Sequence, residues 1–273
     1  MDLSELAKVA IKAVKSAGEI IRKASEQDIE VLHKEGGNTY ASQVVTEIDR
    51  KCDVVIREIL KQSCLKYDIA ILTEEEIDDG SRFEKDYFWC VDPLDGTLAF
   101  INKTSGFSVS IALVSKTGKP VIGVVYNPTK KGLYHAIEGQ GVYRNEKLWC
   151  PETSSKDNLT YITDKSLAKT PKAEEIELIL QQKLLELNLS GFTEIQGGGA
   201  VWNAIRVLEE APAIMLKLPK EEKGGGSLWD YAATSCIFNE LGYRATDFNG
   251  NPLELNKSTD AFMNHKGVFY ACW

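Results

Sequence analysis

The segment Val91 to Thr97 reads VDPLDGT and sets two aspartates three positions apart, with Gly96 and Thr97 directly behind the second. Hard divalent cations such as Mg²⁺ take oxygen donors in a near-octahedral shell and keep several waters. Pro93 fixes φ, so the side chains of Asp92 and Asp95 and the carbonyl of Leu94 can be held on one side of a turn. If LAFI opens a helical turn, the amides of Gly96 and Thr97 lie at its N-terminus, where a phosphate is well received, and the Thr97 hydroxyl can orient a water. Every residue of the segment is also a turn former, so alone it reads equally well as a plain D-G turn between two strands.

Three other acidic features stand elsewhere in the chain. Glu74, Glu75 and Glu76 close the run DIAILT, Asp230 opens an apolar helix in SLWDYAAT, and Asp49 falls in VVTEID. Taken singly, these are a solvated loop, a charge complementing a helix terminus and a solvated helix residue. The three histidines, His33, His135 and His265, have no paired spacing, and no G-x-S-x-G, Walker A or G-x-G-x-x-G motif occurs. Carboxylates, by contrast, are placed where they could do chemistry.

The balance of 32 basic and 40 acidic residues gives a formal charge of −8, which disfavours a polyanion such as nucleic acid. A small phosphorylated ligand stays compatible, because a local metal cluster can reverse the sign of the field in one cleft. The longest apolar runs fall far short of the ~20 residues of a membrane helix. The charged, helically spaced N-terminus is the wrong pattern for a signal peptide, so a cytoplasmic protein starting near Met1 is expected. Six scattered cysteines without C-x-x-C spacing read as reduced, mostly buried thiols.

Several elements must position these acids. Residues 3 to 25 carry apolar side chains at steps of three and four and predict a long amphipathic helix. The KEGGNTY loop follows, then a helix from about Thr46 to Gln62. DIAILTEEE reads as a short buried strand entering an acidic loop, and YFWCV as a strand ending at Asp92. Phe107 to Tyr143 alternates β-branched runs with turn signals, the pattern of an antiparallel meander. Beyond about residue 150, short apolar runs alternate with helices, LTYIT through LWDYAATSCIFNEL, which predicts a layered α/β half. Two intimately packed units are expected, 1–150 and 151–273, with the boundary near Cys150 to Asp157.

The ordered set VVTEID, ILTEEE, VDPLDGT and SLWDYAA, with GFSVSIALV and GKPVIGVVYNP between, resembles the inositol monophosphatase superfamily of magnesium-dependent, lithium-sensitive phosphatases. The resemblance spans about Ala17 to Asn256. It implies a layered αβαβα sugar-phosphatase fold of the α+β class, with the antiparallel meander sheet and its helices in the N-terminal half and a smaller α/β C-terminal half. It implies a phosphomonoesterase acting on a small-molecule phosphate ester through two or three Mg²⁺ ions and metal-activated water. Glu74, Asp92, the Leu94 carbonyl, Asp95 and Asp230 look like the metal ligands. Thr97, with Glu74 or Asp49, is expected to orient and deprotonate the water, and Gly96 and Thr97 to hold the phosphate beside Asp230. A homodimer is compatible with the resemblance.

Two ester classes compete. YFWCV, LAFI and ILTEEE look more like the 3'(2'),5'-bisphosphate nucleotidases, whereas the V-W-N of GGGAVWNAIRV is closer to the inositol monophosphatases. The segment LPKEEKGGGS fits neither pattern. Trp202 reads either as a stacking platform for a base or as core, and Glu221 or Glu222 either as a contact to a sugar or inositol hydroxyl or as a loop charge. A third reading, of a different class, is a catalytically silent metal-binding regulator.

Overall fold

Apolar residues recur every three or four positions through Leu6, Ala10, Ala13, Ala17 and Ile21, so helix α1 (Leu3–Ser25) carries one continuous buried stripe. Asp2 caps it by accepting the N–H groups of Ser4 and Glu5. The computed structural model describes residues 1–26, 31–33, 44–152, 156–165, 167–170, 172–258 and 260–273, with 31–33 and 44–46 described by their backbone alone. The KEGGNTY segment and the side chain of His33 lie outside the described residues.

The strands β1 (Val31–His33) and β2 (Val44–Thr46) form a small antiparallel ribbon ahead of helix α2 (Glu47–Tyr67). α2 does not stop at Gln62 as its pattern predicts. Ser63 donates to the Leu60 carbonyl and accepts the buried Trp89 indole N–H at 3.0 Å, so tertiary packing carries the helix on until Asp68 turns into the left-handed region.

A seven-stranded sheet follows in the order β3 (Ala70–Thr73), β4 (Tyr87–Asp95), β5 (Ser108–Ser115), β6 (Pro120–Asn127), β7 (Gly132–Ile137), β8 (Gly141–Arg144) and β9 (Lys147–Leu148). Only β3 and β4 run parallel; the rest is the expected antiparallel meander. The five-residue helix α3 (Thr97–Ile101) follows β4. One expectation is corrected here: the chain does not turn after Asp92. β4 continues to Asp95, and its register against β5 shifts between the pairs Asp92–Ser110 and Asp95–Ser108. Pro93 has no N–H to lose from the ladder at that interruption, so the strand absorbs a β-bulge where a turn was expected.

The second sheet has the order β11 (Gly191–Gln196), β10 (Asn158–Thr163), β12 (Ala213–Lys217), β14 (Val268–Cys272) and β13 (Arg244–Thr246), joined by helices α4 (Ala173–Leu187), α5 (Ala200–Glu209) and α6 (Leu228–Leu241). Side-chain alternation along the strands sorts the layers. Trp89 and Val91 point into a core shared with α1 and α2, while Phe88 and Cys90 point into a second core built on α5 and α6. That second core runs on to Ile162, Met215 and Tyr270 of the smaller sheet, whose far side packs Tyr161, Ile214 and Phe269 against α4. The order is thus helix, sheet, helix, sheet, helix: the expected αβαβα stack. All six cysteines are free thiols, four of them buried.

Candidate active site

At the end of β4, three carboxylates gather. Asp92 is 1% exposed, Asp95 4%, and half-buried Asp230 arrives from the first turn of α6. One oxygen from each lies within 4.8 Å of the others. Asp92 accepts the Leu94 N–H at 3.0 Å, which folds the carboxylate back over the bulge. Asp230 holds its place by a capping box: its carboxylate accepts the Ser227 N–H at 2.5 Å while the Ser227 hydroxyl accepts its backbone N–H. The reading of Asp230 as a helix-terminus charge and its place in the cluster therefore both hold. Ser110, opposite Asp92 on β5, donates to the Trp229 carbonyl and docks that first turn on the sheet.

Asp95 is fixed by the neighbouring strand and by the other helix of the middle layer. Its Oδ2 accepts the Trp202 N–H at 3.1 Å and the Ser108 hydroxyl at 3.2 Å, and the Val201 amide also hydrogen-bonds to it. Gly199, the N-cap of α5, brings no side chain to those amides. Asp95 stands in for it, capping from more than a hundred residues away a helix end that favours a negative charge. A Cβ on Gly199 would lie 2.1 Å from Asp95 Oδ1. Gly199→Ala should therefore push the carboxylate off α5 and cost about 1–3 kcal/mol, read as a lower denaturant midpoint.

Burial lifts the Asp92 carboxyl well above the ordinary carboxylate range, and the charges of Glu74, Asp95, Asp230 and Asp49 push the same way. Asp95 is pushed up to about 7 by burial and then by Asp230, against the amides of Trp202 and Val201 and the Ser108 hydroxyl. Asp230 is pushed up to about 6 by burial, countered by the Ser227 amide and Lys217. Either protons or a hard cation relieve such a set, and its all-oxygen donors are of the type that Mg²⁺ takes.

The remaining predicted residues surround it. Glu74 follows β3 in an exposed turn and donates its N–H to the Val91 carbonyl at 3.2 Å; Asp49 is buried in the first turn of α2. Both lie outside the group of three, yet their charges reach Asp92. The Thr97 hydroxyl donates to the Leu94 carbonyl at 3.2 Å. Gly96 has φ +82°, and a Cβ there would sit 2.6 Å from the Gly106 carbonyl, so glycine alone suits both the backbone and the space.

Trp202 as a base-stacking platform is corrected. Its ring is fully buried between the sheets against Tyr134, and only its backbone N–H serves the site. Glu221 and Glu222 are exposed, their carbonyls tied to the Asn264 side chain. Sequence reading missed Ser108, Ser110 and Gly199. The triple glycine 197–199 ahead of an apolar helix was the one available signal.

No helix among the described residues is long and apolar enough to cross a membrane. The model of the inositol monophosphatase family matches residues 2–270. Inositol monophosphatase 2 of Solanum lycopersicum is 31% identical over 96% of this chain and 94% of its own length. The 3'(2'),5'-bisphosphate nucleotidase CysQ of Aggregatibacter actinomycetemcomitans is 31% identical over 93% and 88%. Among solved structures, CysQ from Bacteroides thetaiotaomicron superposes with a TM-score of 0.75 at 27% identity, covering 98% of this chain and 97% of that one. With a family match from end to end and relatives above 30% identity over nearly the full length, the chain belongs to the inositol monophosphatase family, whose members are phosphatases.

Proposed function

We propose that the chain is a Mg²⁺-dependent phosphomonoesterase whose substrate is a 3',5'-bisphosphorylated nucleoside, adenosine 3',5'-bisphosphate, hydrolysed to AMP and phosphate. The observation that carries the phosphatase reading is the convergence of Asp92, Asp95 and Asp230 from two sequence-distant elements onto one 4.8 Å patch. Mg²⁺ held by these three, with Glu74 and the Leu94 carbonyl, would neutralise phosphoryl charge and make water more acidic, the two services this transfer needs.

The chain's own residues do the positioning. The Thr97 hydroxyl spends its proton on the Leu94 carbonyl, so toward the site its oxygen can only accept. A water that donates to it turns a lone pair outward, ready for in-line attack. Glu74 or Asp49 is the carboxylate that takes the second proton. The Gly96 and Thr97 amides hold the phosphate, and Asp95, tied to α5, keeps one wall of the site rigid.

The nucleotidase assignment is supported by the CysQ relatives in sequence and in structure. The competing reading, an inositol monophosphatase, is favoured by the tomato relative at equal identity and by the burial of Trp202, which removes the candidate base platform. Phosphate release from adenosine 3',5'-bisphosphate, inositol 1-phosphate and fructose 1,6-bisphosphate, measured side by side with Mg²⁺, decides between them. Preference for the first is expected. Preference for inositol 1-phosphate would overturn the assignment, and release from none would leave the silent metal-binding regulator standing.

A further inference from the structure

Asp49, Asp53 and Arg57 lie four residues apart along α2, stacked on one side of the helix. Asp53 is 2% exposed and engages both oxygens: Oδ1 accepts the Thr73 hydroxyl at 2.6 Å, and Oδ2 accepts Arg57 Nε at 2.7 Å. Thr73 ends β3, is itself buried, and its hydroxyl accepts the Glu75 N–H at 3.1 Å. The other arm of Arg57 donates from Nη2 to Glu76 Oε1 at 2.7 Å. The chain is therefore gripped at Thr73 on one side of Glu74 and at Glu75 and Glu76 on the other. Glu74 itself hangs by its N–H from Val91, the residue before Asp92.

This is more machinery than a surface turn requires. A carboxylate as buried as Asp53 must be paired, and the planar Arg57 fork pairs it while reaching a second acid that a lysine's point charge would not hold in the same geometry. Everything the network fixes flanks Glu74, first among the neighbouring charges acting on Asp92.

We propose that Asp53 and Arg57 are positioning residues for the cation site: through Thr73 and Glu76 they set where the Glu74 carboxylate stands relative to Asp92, and with it the affinity for divalent metal. The proposal rests on the Mg²⁺ reading of the preceding section. A purely structural network that only ties α2 to the sheet would change folding stability and leave metal affinity alone.

Calorimetric titration of the full chain with Mg²⁺ and with Mn²⁺ separates the two. Arg57→Met and Asp53→Asn should weaken metal binding about 10- to 100-fold, the usual cost of losing a group that orients a ligand. Arg57→Lys should recover part of that loss, and Glu76→Gln should weaken binding by a smaller factor. The Mg²⁺ concentration giving half-maximal phosphate release should rise in step, with turnover at saturating Mg²⁺ close to that of the unaltered protein. Unchanged affinity in Arg57→Met and Glu76→Gln, with only a lower melting temperature, would overturn the proposal. If circular dichroism shows Arg57→Met unfolded, Arg57→Lys and the half-exposed Glu76→Gln decide, and unchanged affinity in both overturns it. An unaltered protein that binds neither metal would bring down the Mg²⁺ reading and this inference together; one that binds alongside variants that bind equally well brings down only the inference.

Discussion

Replacing Asp92 with asparagine should cut phosphate release to a small residue and, at the same time, stabilise the metal-free protein at neutral pH. The amide that takes the place of the carboxylate keeps an oxygen to accept the Leu94 N–H, so the local backbone has no reason to move. What disappears is the most buried charge of the cluster, one that burial and four neighbouring acids disfavour. Loss of its charge from the cation site should cost about three orders of magnitude in turnover. The same change removes a carboxyl that at neutral pH must either bear a disfavoured charge or take up a proton on folding, so the metal-free melting temperature should rise, a trade of stability against function common at active sites. Steady-state rates and calorimetry on one preparation test both halves. Undiminished turnover would take the bulge out of the mechanism, and a lower melting temperature would mean that Asp92 is stabilising rather than strained.

The second large effect is a pH dependence that Mg²⁺ should erase. Asp92, Asp95 and Asp230 all titrate above the ordinary value of 3.8 in the folded chain, Asp95 near 7 and Asp230 near 6. Groups with raised carboxyl pKa values hold protons that the unfolded chain has already released. Their contribution to stability is whole below the unfolded value and is lost as pH rises through the folded one. Between about pH 4 and 7 the metal-free protein should therefore lose stability, on the order of a few kcal/mol for the interacting set. Mg²⁺ competes with those protons, so it should raise the melting temperature strongly at about pH 7.5 and little at about pH 5. Scanning calorimetry at the two pH values, with and without Mg²⁺, checks it. A metal-induced shift equal at both would mean that the cation binds elsewhere.

The large elements were legible because each depends on a pattern within its own residues. The apolar stripe of α1 and the run AEEIELILQQKLLEL of α4 announce helices without help from the rest of the chain. The acids of the site were legible as types at a spacing, and Asp92, Asp95 and Asp230 do converge. What escaped is what depends on a partner far along the chain. The donor that orients Asp95 is a backbone amide, and an amide has no letter in the sequence. β13 and β14 escaped because VFYAC is a short apolar run without alternation, and only its neighbours in the sheet make it a strand. Trp202 sat on the right helix, but the sequence does not show which face of that helix the second sheet covers.

The bulge at Pro93 and Leu94 has one more consequence, which is arithmetic. A strand shows odd and even residues to opposite sides, so two aspartates three apart in a regular strand would stand back to back, the second among the apolar neighbours of Trp89 and Val91. Three steps along β4 are matched by only two along β5, from Ser110 to Ser108, and that surplus residue restores agreement between them. The aspartate pair thus behaves like a reading frame. Exchanging one side chain for another at position 93 or 94 leaves the count intact, whereas gaining or losing a single residue there inverts everything downstream of it relative to everything before. What this stretch guards most closely is a number of residues, more than the identity of any residue between its two acids.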